Sequence, residues 1–196
     1  MLRAALERHQ AWVVSGWEVG KQAALDHADL HGTDLKGALL ADADLHGANL
    51  RRADLSDADL EGADLHEARL PRARLRNALL RWADLRQADL RRADLQGADL
   101  TDADLHRANL RGARLGAARL DNADLRGANL AWARGLTQAQ LDRVDADRQT
   151  RVPWGLKVRP RPVVPTISAS AAATPVLTIP REAGSDAAVR VATALH

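Results

Sequence analysis

From Ala28 to Trp132 the chain repeats a five-residue pattern of apolar and polar positions. In 21 consecutive units the central residue is always Leu, and Ala stands two places before it in 20 of them, Thr33 being the exception. Between the two lies Asp in 12 units, Asn in three, Arg in four (Arg69, Arg74, Arg114, Arg119) and Leu in two (Leu39, Leu79). The two residues after Leu are mostly polar, and the second is Gly in seven units. A helix turns about 100° per residue, so a period of five would spread its leucines around the whole cylinder. In a straight strand an odd period points successive leucines to opposite faces. Neither regular element accounts for the pattern.

The triplet Ala-Asp-Leu does read as a short strand: in, out, in. If the next two residues turn a corner, the following triplet can again point its apolar pair inward. Four corners then close a square coil of 20 residues, and coils stack at the strand spacing of roughly 4.8 Å. The pattern therefore predicts a narrow all-β solenoid of about five coils, about 24 Å long, with one Leu and one Ala per side filling the axis. The recurrent Gly falls at the third place of each four-residue corner, where a type II turn needs positive φ; Asp, Arg or Gln at that place predicts a type I turn.

The tandem motif A(D/N)LXX resembles the pentapeptide-repeat family over Ala28 to Trp132. The resemblance implies a right-handed quadrilateral β-helix; the handedness comes from it alone. Some members of that family mimic the shape and charge of duplex DNA and bind DNA gyrase, protecting it from quinolones or inhibiting it. Members often form homodimers through a C-terminal helix, although the helix expected here after Thr137 is short.

A solenoid has two open ends, and both need caps. Before the repeats, Leu2, Leu6, His9 and Val13 fall near one helical face with Trp12 and Trp17 close by, which predicts a helix over residues 2–14 within an N-terminal cap of residues 1–27. After them, Thr137 and Gln140 form a capping box and Leu136 and Leu141 a hydrophobic staple, predicting a helix over 138–145 within a cap of residues 133–157. Trp132 and Trp154 are expected in that lid. Residues 158–174 read as a Pro/Ala/Ser/Thr-rich linker. Residues 175–196 read as a strand at Val176–Ile179 and a helix from about Asp186 capped by Ser185. This tail could dock on the solenoid, pair with another chain, or begin a βα unit.

Composition narrows the chemistry. With no Cys, Phe or Tyr and five Trp, the core must be aliphatic, and thiolate chemistry is excluded. The first 20 residues carry charges and no long apolar run, so they suggest neither a signal peptide nor a membrane span; a cytoplasmic location and no membrane partner are expected. No catalytic motif appears, and the abundant Asp residues lie outward on flat faces without the partly dry cleft that acid–base work needs. The expectation is no enzyme and no cofactor. His46 and His66, beside Asp44 and Asp64 in a column continued by Arg86, His106 and Arg126, have no enclosing ligand set and read as a titrating surface ladder, not a metal site.

Charge becomes informative once the units are sorted into four columns. The face through Leu50, Leu70 and Leu90 carries Arg51, Arg52, Arg69, Arg72, Arg91, Arg92 and Arg111 against Asp29 and Asp89, net +5. The opposite face carries Asp42, Asp59, Glu61, Asp99, Asp102 and Asp121 against Arg81 and Arg119, net −4. Leu79 and Trp82 sit outward on that acidic face. Pairing between coils, such as Arg69 above Asp89, would make these charges solvated ladders of small net value. The alternative is a recognition surface. The leading expectation is a non-catalytic interaction or scaffold module for a protein partner, with candidate contacts Leu79, Trp82, Asp59, Glu61, Asp99 and Asp102. A DNA-mimicking gyrase-binding protein is the first alternative. The second is a non-specific nucleic-acid binder using the arginine face, less expected because aromatic residues are not interleaved there.

Overall fold

The computed structural model describes residues 2–20 and 22–159. The linker beyond Arg159 and the expected Val176–Ile179 strand and Asp186 helix lie outside the described residues.

From Ala24 to Arg114, the outward residue of each unit pairs with its counterpart 20 residues later in a single parallel bridge, as in Asn49↔Arg69↔Asp89↔Asn109↔Asn129. A side is thus one bridge long, and four such columns give the square coil. Hydrogen bonds run both ways along the axis: the Asp89 amide donates to the Ala68 carbonyl (2.9 Å), and the Leu90 amide donates to Asn109 (2.9 Å). Every central leucine from Leu25 to Leu130 is buried, most of them completely. Ala23 and Leu25 already pack as a unit, so the coil begins one unit before the regular motif.

All corners from His27 to Trp132 adopt one geometry. The amide of the residue after each turn donates to the preceding Leu carbonyl, as Ala93 does to Leu90 (3.0 Å), and the third residue has positive φ, whether glycine (Gly32, +66°) or not (Arg52, +60°; Asp57, +59°; Gln87, +57°; Ala117, +56°). The type I corners expected at Asp, Arg and Gln are therefore absent. A type I turn would aim the next amide away from the stacking axis, and the coil-to-coil bonds on both sides hold each corner in the left-handed form despite its cost to a residue with a Cβ.

The outward Asp has a structural reason that period alone does not reveal. In all fifteen units with Asp or Asn there, Oδ1 accepts a hydrogen bond from the backbone amide two residues on, for example Glu61 to Asp59 (3.1 Å), His66 to Asp64 (2.9 Å) and Arg111 to Asn109 (3.2 Å). That amide is the one corner donor that the coil ladder leaves over, and a short carboxylate or amide reaches it without reordering the chain.

Helix α1 (Leu2–Val14) lies over the first coil with Leu2, Ala5 and Leu6 against the core. His9 is fully buried: its Nδ1 accepts from the Ala23 amide (3.0 Å), and its ring stacks on Trp12 at 5.6 Å. Burial lowers the His9 pKa below 6.5, against the opposing pull of the Ala41 carbonyl and the Asp42 charge. Because the unfolded chain binds a proton more readily than the folded one, the cap's stability is fully present above pH 6.5 and declines as pH falls through that value. Titrating from pH 7.5 to 5 is expected to open the N-terminal end, reported by Trp12 fluorescence. His9→Phe should abolish the step; an unchanged step in that variant would place the titrating group elsewhere.

At the other end α2 (Gln138–Leu141) is capped by Thr137, with the reciprocal Gln140 bond of a capping box. It is one turn long, shorter than the expected 138–145, because Asp145 pairs with Asp124 and Arg151 with Asn129 to begin closing the last coil. Gln140 Nε2 donates to the carbonyls of Ala118 (2.7 Å) and Leu115 (3.2 Å). Leu141 and Val144 plug the axis. Trp132 and Trp154 do not take part in this lid: they are 74% and 101% exposed. An axis one Leu and one Ala wide has no room for an indole.

The approach of the cap is set by Gly135, where a Cβ would meet the Gly116 amide nitrogen at 2.7 Å and its Cα at 2.8 Å. Gly37 shares the left-handed φ but faces open space. Gly37→Ala is expected to cost about 1–2 kcal/mol, the left-handed penalty alone. Gly135→Ala should cost clearly more, since backbone on both sides must part. Equal shifts of the thermal midpoint would refute the close packing of this cap.

Candidate functional site

The expected basic face resolves into a corner. An open groove of about 890 Å³ runs along the edge between the Leu90 side and the Leu95 side. It is lined by Arg51, Arg72, Arg91, Arg92, Arg111, Arg114 and Arg134 together with Pro71, Gly112 and Trp132, and by no acidic residue. Stacking at a 20-residue register brings these arginines together, because consecutive coils place Arg51, Pro71, Arg91 and Arg111 in one column and Arg72, Arg92, Gly112 and Trp132 in the next. Two of the seven are neutralised: Arg91 pairs with Asp89 within its own turn (2.7 Å), and Arg114 pairs with Asp94 one coil away (3.3 Å). Arg51, Arg72, Arg92, Arg111 and Arg134 make no side-chain hydrogen bond or ion pair among the described residues. Of the other two arginines expected on this face, Arg52 and Arg69 lie outside the groove lining. The ladder expected between Arg69 and Asp89 does not form; Asp89 takes Arg91 instead.

The acidic face is arranged differently. Glu61 accepts from Arg81 (3.0 Å), which lies over the Trp82 ring at 5.4 Å. Asp99 is nearly buried and accepts from the Thr101 amide (3.1 Å) and hydroxyl and from Arg119 (3.2 Å). Burial alone would raise the Asp99 pKa, but the two Thr101 bonds and the Arg119 charge outweigh it and hold the carboxyl below its ordinary value. Asp59 is bound to its turn amide, and Asp102 occupies a corner at φ +58°. Leu79 and Trp82 are 39% and 58% exposed on this side. The candidate carboxylates are thus brought to one face, but Glu61 and Asp99 carry their own counter-charges.

His46 and His66 stack face to face, their centroids 5.3 Å apart with ring planes 8° from parallel, and His27 meets His46 edge-on at 5.2 Å. Rings stacked face to face direct their lone pairs into separate parallel planes and do not converge on one ion. No group of His, Asp or Glu with metal-binding geometry occurs among the described residues, and no helix among them is long and apolar enough to cross a membrane.

A family model described as pentapeptide repeats, eight copies, matches residues 21–57, 38–77, 78–116 and 103–134. The chain belongs to the pentapeptide-repeat family. Its fold is accordingly the right-handed β-helix solenoid of that family. Among solved structures, the pentapeptide-repeat protein HetL of Nostoc sp. strain PCC 7120, involved in regulation of heterocyst differentiation, is 36% identical over 56% of this chain and 56% of its own, with a TM-score of 0.28. A pentapeptide-repeat protein of the Arabidopsis thaliana thylakoid lumen is 34% identical over 50% of this chain and 65% of its own, with a TM-score of 0.25. QnrB1, a plasmid-mediated fluoroquinolone resistance protein, is 17% identical over 61% of this chain and 68% of its own, with a TM-score of 0.34. The chain spans a little over half the length of HetL. No curated protein matches it. Pentapeptide-repeat proteins are in general structural or interaction modules, and the outward aspartates here are held as turn acceptors.

What the sequence columns do not show is the contribution of Arg114, Arg134 and Trp132 to the groove. Arg114 belongs to the adjoining side and the other two lie at or beyond the last regular corner, and only the stacking register shows that they extend the same edge.

Proposed function

We propose that this pentapeptide-repeat protein is a non-catalytic interaction module whose recognition surface is the arginine groove, and that its partner is polyanionic. The observation that carries this reading is the asymmetry of compensation. Five groove arginines have no described counter-charge and no carboxylate lines the groove, whereas Glu61 and Asp99 on the opposite face are already paired. A row of uncompensated guanidinium groups raises the local concentration of anions and gains by pairing with them. Anisotropy titration with labelled inorganic polyphosphate is expected to show binding that weakens steeply with salt. Binding that ignores ionic strength, or no binding at low salt, would end this reading.

A second reading rests on exposed Trp82 beside Leu79, which suits a contact with a protein partner. A DNA-mimicking role toward gyrase needs free columns of carboxylates. On the acidic face Asp42, Asp59 and Asp102 could supply only part of one, since Glu61, Asp99 and Asp121 are paired. A supercoiling assay with and without a quinolone is expected to show neither inhibition nor protection; dose-dependent protection lost in Asp59→Asn/Asp102→Asn would overturn the arginine-groove assignment in favour of mimicry.

A further inference from the structure

We infer that the groove holds a slot for one flat aromatic ring at Gly112, and that its occupant is a base of single-stranded nucleic acid. This rests on the polyanion reading above and deepens it. Arg92, Gly112 and Trp132 stand at the same corner position of three successive coils: the Arg92 amide donates to the Arg111 carbonyl (3.0 Å), and the Gly112 amide donates to the Ala131 carbonyl (3.0 Å). Gly112 has no side chain to stand between those of Arg92 and Trp132, the corner residues of the coils on either side. A Cβ at Gly112 would already touch Arg92 Cγ at 3.4 Å, which shows that the Arg92 stem lies directly against the slot. Trp132 is 74% exposed and lines the same groove as Arg92.

The dimensions suit a single ring. Two coil spacings separate Arg92 from Trp132, about 10 Å at the spacing of hydrogen-bonded strands. The Gly112 backbone thus lies about 5 Å from the backbone on either side, and a ring seated over it falls within reach of stacked-aromatic and guanidinium–aromatic contacts. Arg72 and Arg111, unpaired among the described residues, flank the slot and would meet the phosphates on either side of the base. Single-stranded binders combine these same elements, a basic track and an aromatic platform. A duplex keeps its bases stacked inside and cannot fill the slot. An acidic peptide offers charge but no ring.

The deciding experiment compares a labelled oligothymidylate with an abasic oligomer of the same length and backbone, and with polyglutamate, on the full chain. The oligothymidylate is expected to bind on the order of ten-fold more tightly than the abasic chain. Trp132→Ala should remove that difference, while Trp132→Phe restores most of it. Gly112→Asn, which tolerates the positive φ of 71°, should fill the slot with the same selective loss. Equal binding of the three probes, insensitive to Trp132, would overturn the slot while leaving the polyanion groove standing. Failure of every polyanion to bind at low salt would overturn both.

Discussion

Leu90→Ala is expected to lower the free energy of unfolding by about 2–5 kcal/mol, the range for emptying a buried leucine site. Leu90 is completely buried, as are Leu70 one coil before it and Ala88 beside it; Leu110 one coil after is 1% exposed. The site cannot collapse to recover contacts. The backbone on either side is fixed by the bonds of Asp89 to Ala68 and of Leu90 to Asn109, and a corner turns two residues later. A void there also lies mid-rod, where it weakens the interfaces to both neighbouring coils at once, and nearest-neighbour interfaces carry solenoid stability. Leu90→Asp, placing a charge on the axis with no partner, should prevent the central coils from forming. Urea denaturation with far-ultraviolet circular dichroism measures both. A loss under about 1 kcal/mol for the alanine variant, well below what a fixed cavity costs, would mean that the interior repacks and that the axis is not the rigid column described.

The second large effect concerns binding. Neutralising Arg72, Arg92 and Arg111 together to Gln is expected to weaken association with single-stranded polyanions on the order of a hundred-fold at low salt. It should also reduce the dependence of log affinity on log salt by about 2, at roughly 0.7 per lost phosphate contact. The thermal midpoint should hardly move, because these side chains make no described hydrogen bond or ion pair whose loss could destabilise the coil. A control variant on the other face, Glu61→Gln with Asp102→Asn, should leave affinity nearly unchanged. If the triple variant keeps its affinity and slope while the control loses them, the functional side of the rod is the acidic one.

These expectations depend on features that differ in how far the sequence displays them. The buried column was legible in full. Leu at one position of every unit, with Ala two before it, admits only a backbone that turns a corner between triplets, since helix and strand both scatter a period of five. The corner conformation was legible only in part. Residue preference points to type II at Gly and type I at Arg52, Asp57 or Gln87, yet all share the left-handed third residue. Inter-coil bonds act equally on every corner, and they outweigh a local preference of about 1–2 kcal/mol. The outward aspartates were read as solvent-facing charges. Their bond to the corner amide follows from a turn geometry that must be known first.

Charge shows the same division. Sequence columns placed Arg51, Arg72, Arg92 and Arg111 on one side and Asp59, Glu61, Asp99 and Asp102 on the other, because a repeat of fixed period converts residue number into position. Which of these charges stay uncompensated was not in the columns. Asp89 takes Arg91 from its own turn and leaves Arg69, while Arg81 and Arg119 cover Glu61 and Asp99 across one coil. Such choices depend on side-chain reach and corner direction over a few ångströms, and adjacency in a column does not specify them. The lid shows it again: Leu141 and Val144 close the axis, while Trp132 and Trp154, expected in the lid, stay exposed. The sequence alone thus determined the solenoid, its register and the sorting of its faces, since these follow from periodicity. Only the tertiary structure decided the corner type, the pairing of charges and the extension of the arginine edge by Arg114, Arg134 and Trp132, since each arises where neighbouring coils meet.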